Sequence, residues 1–276
     1  AIATTDALTP VTDFNAEWVA NVGVAMPEEL VIDVDGTPVQ GWLLRPHGVA
    51  PGATPPLILN VHGGPHGQFS PALFHELQLF AARGCGLLFI NPRGSVGYGE
   101  ASASAISGRW GLADQQDFEG MLDHVLASGD WDADRLGVTG GSYGGFSTNW
   151  LLGHTDRFRA GVTDRSISNM TSMYGTDDIA LVSLDPELGT PWEHPERYWE
   201  LSPIRKVAAI TAPLLIIHSE QDLRCPIEQA EQMYTALRYL EREVAFIRIP
   251  GESHELSRSG TPSRRLARLQ HLIGWF

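Results

Sequence analysis

The run Arg135 to Thr139 (RLGVT), leading into Gly140 to Gly145 (GGSYGG) and then Phe146 to Leu152 (FSTNWLL), constrains this chain more than any other stretch. A short segment of strand composition enters a turn of glycines around a serine and leaves as a segment of helical composition. A strand that bends this sharply into a helix crowds the turn against both elements, so glycine is needed wherever a Cβ would collide. The residue at the apex sits on a strained backbone with its side chain presented outward. This is the setting of a nucleophile elbow, and the serine at its centre, Ser142, is the candidate nucleophile.

The rest of the chain fits that turn. From about Leu30 onward, leucine-rich or β-branched runs alternate with longer segments of helical periodicity, separated by turn residues. Expected strands are Leu30 to Val34, Val39 to Leu44, Leu57 to Val61, Gly86 to Ile90, Leu136 to Thr139, Ala160 to Thr163, Leu214 to His218 and Val244 to Ile249. The first two are joined by Asp35-Gly36, a hairpin dipeptide, and should form an antiparallel edge. Helices are expected at Ala113 to Ala127, at Tyr143 to Leu152, after a first-turn Pro226, and at the end, where Leu266, Leu269, Ile273 and Phe276 share a face. The stretch from Asp164 to Ala208, rich in Trp, Tyr, Pro and Asp, reads as an excursion over the sheet that shapes a pocket. The expected class is α/β, with the α/β-hydrolase fold: a mostly parallel sheet of about eight strands with helices on both faces. Residues 30 to 276 form the domain, and residues 1 to 29 read as a linker or strap with a short amphipathic turn of helix within it.

A serine hydroxyl is a poor nucleophile until a histidine takes its proton, and a carboxylate must hold that histidine in the right tautomer. In this fold the chain order is serine, acid, histidine. After Ser142, the strand PLLIIHS ends in EQDLRCP, which offers Glu220 and Asp222 beyond the sheet's carboxyl edge. Asp222 is the chosen acid and Glu220 the reserve. Of the histidines that follow, His271 lies inside the terminal helix and His254 in a loop straight after a strand, so His254 is the expected base. The oxyanion needs two backbone donors, one from the residue after the nucleophile and one from a loop after an early strand. Tyr143 and Gly64, the latter in LNVHGGPHG, are the candidates.

His62 and His66, with His75, would suit a metal if they lay on one helix, but Gly63-Gly64-Pro65 denies that helix, so they read as packing and loop-ordering residues. No metal or other cofactor is expected. Cys225 beside Asp222 reads as a buried small side chain and not a thiol nucleophile. Trp110, Trp150, Trp192 and Trp199 suit either a pocket or the core.

Charge narrows the partners. Acidic residues outnumber basic ones 33 to 19, for a net charge of -14, which repels nucleic acid and anionic membrane surfaces. With 43% hydrophobic residues among 276, the chain suffices for one large core. Two cysteines make no disulfide framework or zinc site. No stretch approaches the roughly 18 apolar residues of a membrane span, and AIATTDALTP lacks the order of a signal peptide, so a cytoplasmic chain is expected.

Taken together, HGGPHG, NPRGSVGYG, VTGGSYGGFSTNWLLGHTDRF, HSEQDLRCPIEQAEQM and GESHELSRSG resemble the catalytic domain of the prolyl oligopeptidase family of serine peptidases, over nearly the whole chain. The likeness is strongest to the acylaminoacyl-peptidase branch. It implies Ser142, Asp222 and His254 as triad, Tyr143 and Gly64 as oxyanion donors, and short peptides as substrates. It further implies that Arg165 to Tyr174 helps build the pocket for the side chain before the scissile bond, with Ile167 and Met170 as candidate apolar walls. Ordinary packing is the other reading for those two, and pairing with an acid the other reading for Arg165. Members of the family usually place a β-propeller before this domain. No repeated-blade sequence appears here, so a propeller is expected on the same polypeptide or a companion chain, with the opening residues similar to the interdomain strap. Self-association into a homo-oligomer stays open. So do two other functions, a carboxylesterase and, on the same fold, a non-catalytic binding scaffold.

Overall fold

The computed structural model describes residues 2–3, 8–9 and 11–276; the other residues of the expected strap lie outside the described ones. Ile2–Ala3 and Leu8–Thr9 form a two-stranded antiparallel pair. The main sheet is built from β1 (Glu28–Val34), β2 (Thr37–Leu44), β3 (Leu57–Val61), β4 (Gly86–Asn91), β5 (Leu136–Gly141), β6 (Phe158–Asp164), β7 (Leu214–Ser219) and β8 (Val244–Ile249). Their spatial order is β8-β7-β6-β5-β3-β4-β2-β1. β1 pairs with β2, and β2 with β4, antiparallel, while the remaining neighbours are parallel. All eight expected strands are present, and the first two form the antiparallel edge. Their hairpin turns on Asp35 and Gly36 at φ 51° and 79°, with the Gly36 N–H donating to Asp33 Oδ1 at 2.9 Å.

The period-two alternation of these strands sorts them onto two faces. Leu57, Leu59 and Val61 of β3 join Leu214 and Ile216 of β7 in one core cluster, which packs against α4 (Gln115–Leu126), α5 (Tyr143–His154) and α9 (Glu228–Tyr239). Ile58, Leu215 and Ile217 point the other way and pack with α2 (His75–Ala82) and α11 (Pro262–Trp275). Between β6 and β7 the chain makes its excursion through α6 (Met170–Thr176), α7 (Ala180–Leu188) and α8 (Pro195–Glu200), and a third cluster gathers there around Trp110, Tyr143, Phe146 and Ile167. The carboxyl ends of β3, β5, β6, β7 and β8 all open toward the same edge, where ligands bind in sheets of this kind. Ahead of the sheet, the short helix α1 (Ala16–Asn21) has no buried residue, and two more short helices, α3 (Glu100–Ser104) and α10 (Leu256–Ser259), follow β4 and β8. None of the helices among the described residues is long and apolar enough to cross a membrane.

Two expectations change in detail. α9 opens at Glu228, two residues beyond Pro226, whose carbonyl accepts from the Gln229 N–H in the lead-in turn at 2.9 Å. On α11 the inward face is not the all-apolar stripe. Leu266 is 57% exposed, whereas Arg268 and Leu272 are buried, with Leu269, Ile273 and Phe276 packed beside them. The helix is turned so that Arg268, and not Leu266, enters the protein, because the carboxylates of buried Asp164 and part-buried Glu76 receive it there.

Candidate active site

The elbow is built as its glycines demand. Ser142 sits at φ 63°, ψ -123°, between the last residue of β5 and the first of α5. A β-carbon on Gly140 would lie 2.6 Å from the Gly144 backbone and the Val61 carbonyl; one on Gly144 would collide with that same carbonyl. On Gly145 it would meet Ser166 Cβ at 2.6 Å, and on Gly141 the Arg165 guanidinium at 2.8 Å. The Ser142 N–H donates to the Asp164 carbonyl at 3.0 Å, which ties the strained residue to the end of β6.

The second loop comes from β3. Gly64 has φ 140°, a conformation that favours glycine, and a β-carbon there would meet the Gly67 nitrogen at 2.6 Å. One on neighbouring Gly63 would lie 3.4 Å from Ser142 Cβ, so this loop runs alongside the serine. Among the described residues, no protein acceptor takes the N–H of Gly64 or of Tyr143. His62 is committed elsewhere, with Nε2 2.9 Å from Ser95 Oγ and Nδ1 2.7 Å from the Gly63 carbonyl, while His66 Nδ1 lies 3.0 Å from the Gly94 carbonyl. Both histidines order loops.

The candidate acid and base meet across 32 residues of chain. Asp222, in the loop after β7, is buried, and its Oδ2 lies 2.7 Å from His254 Nδ1 in the loop after β8. Its Oδ1 accepts from the N–H groups of Arg224 and Cys225, each at 2.9 Å. The reserve acid Glu220 faces outward and pairs with Arg248 at 3.0 Å. Ser142 and His254 line one cavity of about 860 Å³. Among the described residues no hydrogen bond joins them, a looseness common before substrate is seated. The Cys225 thiol lies beside Ser142, and burial pushes its pKa up, so it stays a neutral thiol.

The cavity lining mixes two kinds of side chain. Trp110, Ile167 and Met173, which belong to the third cluster, are apolar, as are Ile179 and Val182, while Glu76, Arg165, Arg258 and Arg268 carry charge. Of the two candidate wall residues, Ile167 lines the cavity. Met170 does not: it is fully buried in the third cluster, its N–H on Ser202 Oγ, and Met173, nearly one helical turn on, takes the wall position. Arg165 donates to Asp164 Oδ2 and Ser257 Oγ, both at 3.0 Å, so it pairs with an acid and lines the cavity at once. Of the tryptophans, Trp110 lines the cavity, Trp150 is in the core, and Trp192 and Trp199 are exposed.

Asp114, behind the elbow, escaped the sequence reading. It accepts from the Tyr143 hydroxyl at 2.7 Å, and burial pushes its pKa from 3.8 up to about 6. The folded protein therefore holds this proton more tightly than the unfolded chain does. The contribution favours folding below about pH 4 and is lost as pH rises through about 6. Between pH 4 and 7 the stability of Asp114→Asn should gain on the wild type by on the order of 2–3 kcal/mol. Chemical denaturation of both proteins at several pH values measures this, and a difference that does not change with pH would refute it.

Comparison with known proteins follows the same lines. The model of the prolyl oligopeptidase family matches residues 71–276. The chain is 45% identical over 268 residues to the uncharacterized peptidase YuxL of Bacillus subtilis (strain 168), covering 96% of this chain and 41% of that protein. It is 34% identical over 220 residues to the acylamino-acid-releasing enzyme of Arabidopsis thaliana, covering 76% of this chain and 29% of that one. Among solved structures, Pyrococcus horikoshii acylaminoacyl peptidase superposes with a TM-score of 0.92 at 34% identity, over 96% of this chain and 43% of that one. The chain thus spans less than half the length of each of these relatives.

Proposed function

The chain belongs to the prolyl oligopeptidase family, and from that premise we propose that it acts as a serine peptidase on short peptides, as an acylaminoacyl-peptidase or related oligopeptidase, through an acyl-enzyme on Ser142. The observation that carries this reading is the 2.7 Å bond between Asp222 and His254, set in the cavity that Ser142 also lines. A carboxylate on Nδ1 leaves the lone pair of a neutral imidazole on Nε2, the atom that must accept the serine proton.

Ser142 Oγ attacks the scissile carbonyl while its proton passes to His254 Nε2. The carbonyl oxygen, now negative, is received by the N–H groups of Tyr143 and Gly64, each donor being worth roughly 10²- to 10³-fold in rate. As the tetrahedral intermediate collapses, the C–N bond breaks and His254 returns the proton to the leaving amine. Water then repeats the sequence against the ester, releasing the acyl group and restoring Ser142. The apolar part of the lining, Trp110, Ile167 and Met173, suits the side chain on the acyl side of the cleaved bond.

We also assign residues 30–276 to the catalytic domain and residues 1–29 to the strap from a β-propeller. Support comes from the length of the relatives and from α1, whose neighbourhood leaves Phe14 91% and Trp18 49% exposed. Hydrolysis of N-acyl-amino-acid and dipeptide anilides, measured beside p-nitrophenyl esters, tests the reading. Cleavage of the anilides is expected; ester hydrolysis with no measurable anilide or peptide cleavage would point to a carboxylesterase instead.

A further inference from the structure

The loop that carries Asp222 is held by a second imidazole, which the steps above do not use. His218 lies near the end of β7 and is fully buried. Its Nε2 is 2.7 Å from the carbonyl oxygen of Cys225. A carbonyl only accepts, so Nε2 carries the proton and donates. Burial favours the neutral ring, against the pull of Asp222, which leaves the lone pair on Nδ1, an atom with no partner among the described residues. The same Nε2 lies 3.6 Å from Asp222 Oδ2, the oxygen that receives His254. Because Asp222 Oδ1 already caps the N–H groups of Arg224 and Cys225, the turn 222–225 is closed from both ends. The aspartate holds its amides, and His218 holds its last carbonyl to the sheet.

We propose that His218 is a positioning residue for the triad: by anchoring the Cys225 carbonyl to β7, it sets the turn that aims Asp222 Oδ2 at His254 Nδ1. It touches neither substrate nor reacting atoms, and the inference rests on the triad reading above. Without the donor, the Cys225 carbonyl becomes a buried acceptor with nothing to accept, a costly state that the turn relieves by moving. Oδ2 moves with it. Since the Cys225 thiol lies beside Ser142, the displacement also reaches the nucleophile. Mere core filling would be served by any ring of similar size, whereas this role demands a donor at the Nε2 position.

Three substitutions separate the two roles. His218→Phe keeps a ring and loses the donor; His218→Gln carries an amide N–H to about the Nε2 position; His218→Asn carries the same amide one methylene short. The readouts are kcat and KM on an activated ester, the rate of fluorophosphonate labelling, and the downfield proton resonance of the His254–Asp222 bond. For Phe and Asn, kcat and labelling rate should fall about 10- to 100-fold with KM within about threefold, as for misplaced catalytic groups. The downfield resonance should weaken with them. Gln should stay within about fivefold of wild type and keep the resonance. Gln no better than Asn, or Asn at the wild-type rate, overturns the inference, and this pair decides it alone if the Phe variant does not fold. Ser142→Ala serves as the control: labelling that persists there removes the triad reading and this inference with it, whereas a silent Ser142→Ala confines any failure to His218.

Discussion

Ser142→Ala is expected to lower turnover of an acyl-amino-acid anilide by about 10⁴- to 10⁶-fold, the range seen when a serine nucleophile is removed, while leaving the fold intact. The loss is large because no neighbouring group can replace the hydroxyl. The Cys225 thiol beside it is held neutral by burial, and His254, without a nucleophile to deprotonate, can only activate water that nothing positions. Stability should change little. Alanine meets the same strain at φ 63°, and the hydrogen bond given up is to the Cys225 thiol, a weak partner. Steady-state kinetics and thermal unfolding of the purified variant check both halves. Residual activity within tenfold of wild type would mean that the reaction runs elsewhere. Asp222→Asn should cost about 10⁴-fold by the same measure, since an amide favours the wrong imidazole tautomer.

Arg268→Ala is expected to destabilise the protein by about 3–5 kcal/mol, the cost of stripping one partner from a buried ion pair. Arg268 is 5% exposed; its Nε donates to Asp164 Oδ2 at 2.7 Å and a terminal nitrogen to Glu76 Oε2 at 2.5 Å. Burial disfavours its charge, but the two carboxylates outweigh that and hold its pKa above the ordinary value. Burial likewise pushes Asp164 up, and Arg268 with Arg165 pulls it below 3.8 on balance. Asp164's contribution to stability is therefore present above about pH 4 and lost as pH falls through its depressed folded value. The alanine variant leaves Asp164 charged and buried and takes the partner from Glu76 at the cavity wall, and Asp164 is also the residue whose carbonyl holds the Ser142 N–H. Arg268→Lys should recover only part of the loss, because one ammonium replaces two separately directed nitrogens. Denaturant unfolding measures the series; a cost under about 1 kcal/mol for Arg268→Ala would show that the network is slack.

The elbow and the strands were legible because their signals are local. Steric crowding at a strand-to-helix bend selects glycine within a few residues of Ser142, and Leu57–Val61 announces a buried strand by its own composition. Reading α11 by periodicity alone failed at Leu266 and Arg268 because the deciding partners lie far off in sequence. Asp164 is 104 residues before Arg268 and Glu76 192 before it. Met170 and Met173 present the same difficulty: both are apolar, both lie on α6, and only the helix's rotation against the core puts Met173 on the cavity. Asp114 and His218 carried no signal of their own, since a lone aspartate or histidine gains meaning only from what burial brings against it.

Ser142 shows the division most plainly. Sequence by itself determined that a serine stands at a strained, glycine-lined bend, because that constraint is written in residues a few bonds apart. Only the tertiary structure decided that Asp222 and not Glu220 reaches His254, at 2.7 Å, and that apolar and charged side chains line one cavity with the serine. Hydrogen bonds and ion pairs act over a few ångströms, and which groups come that close depends on how the whole sheet and its helices pack.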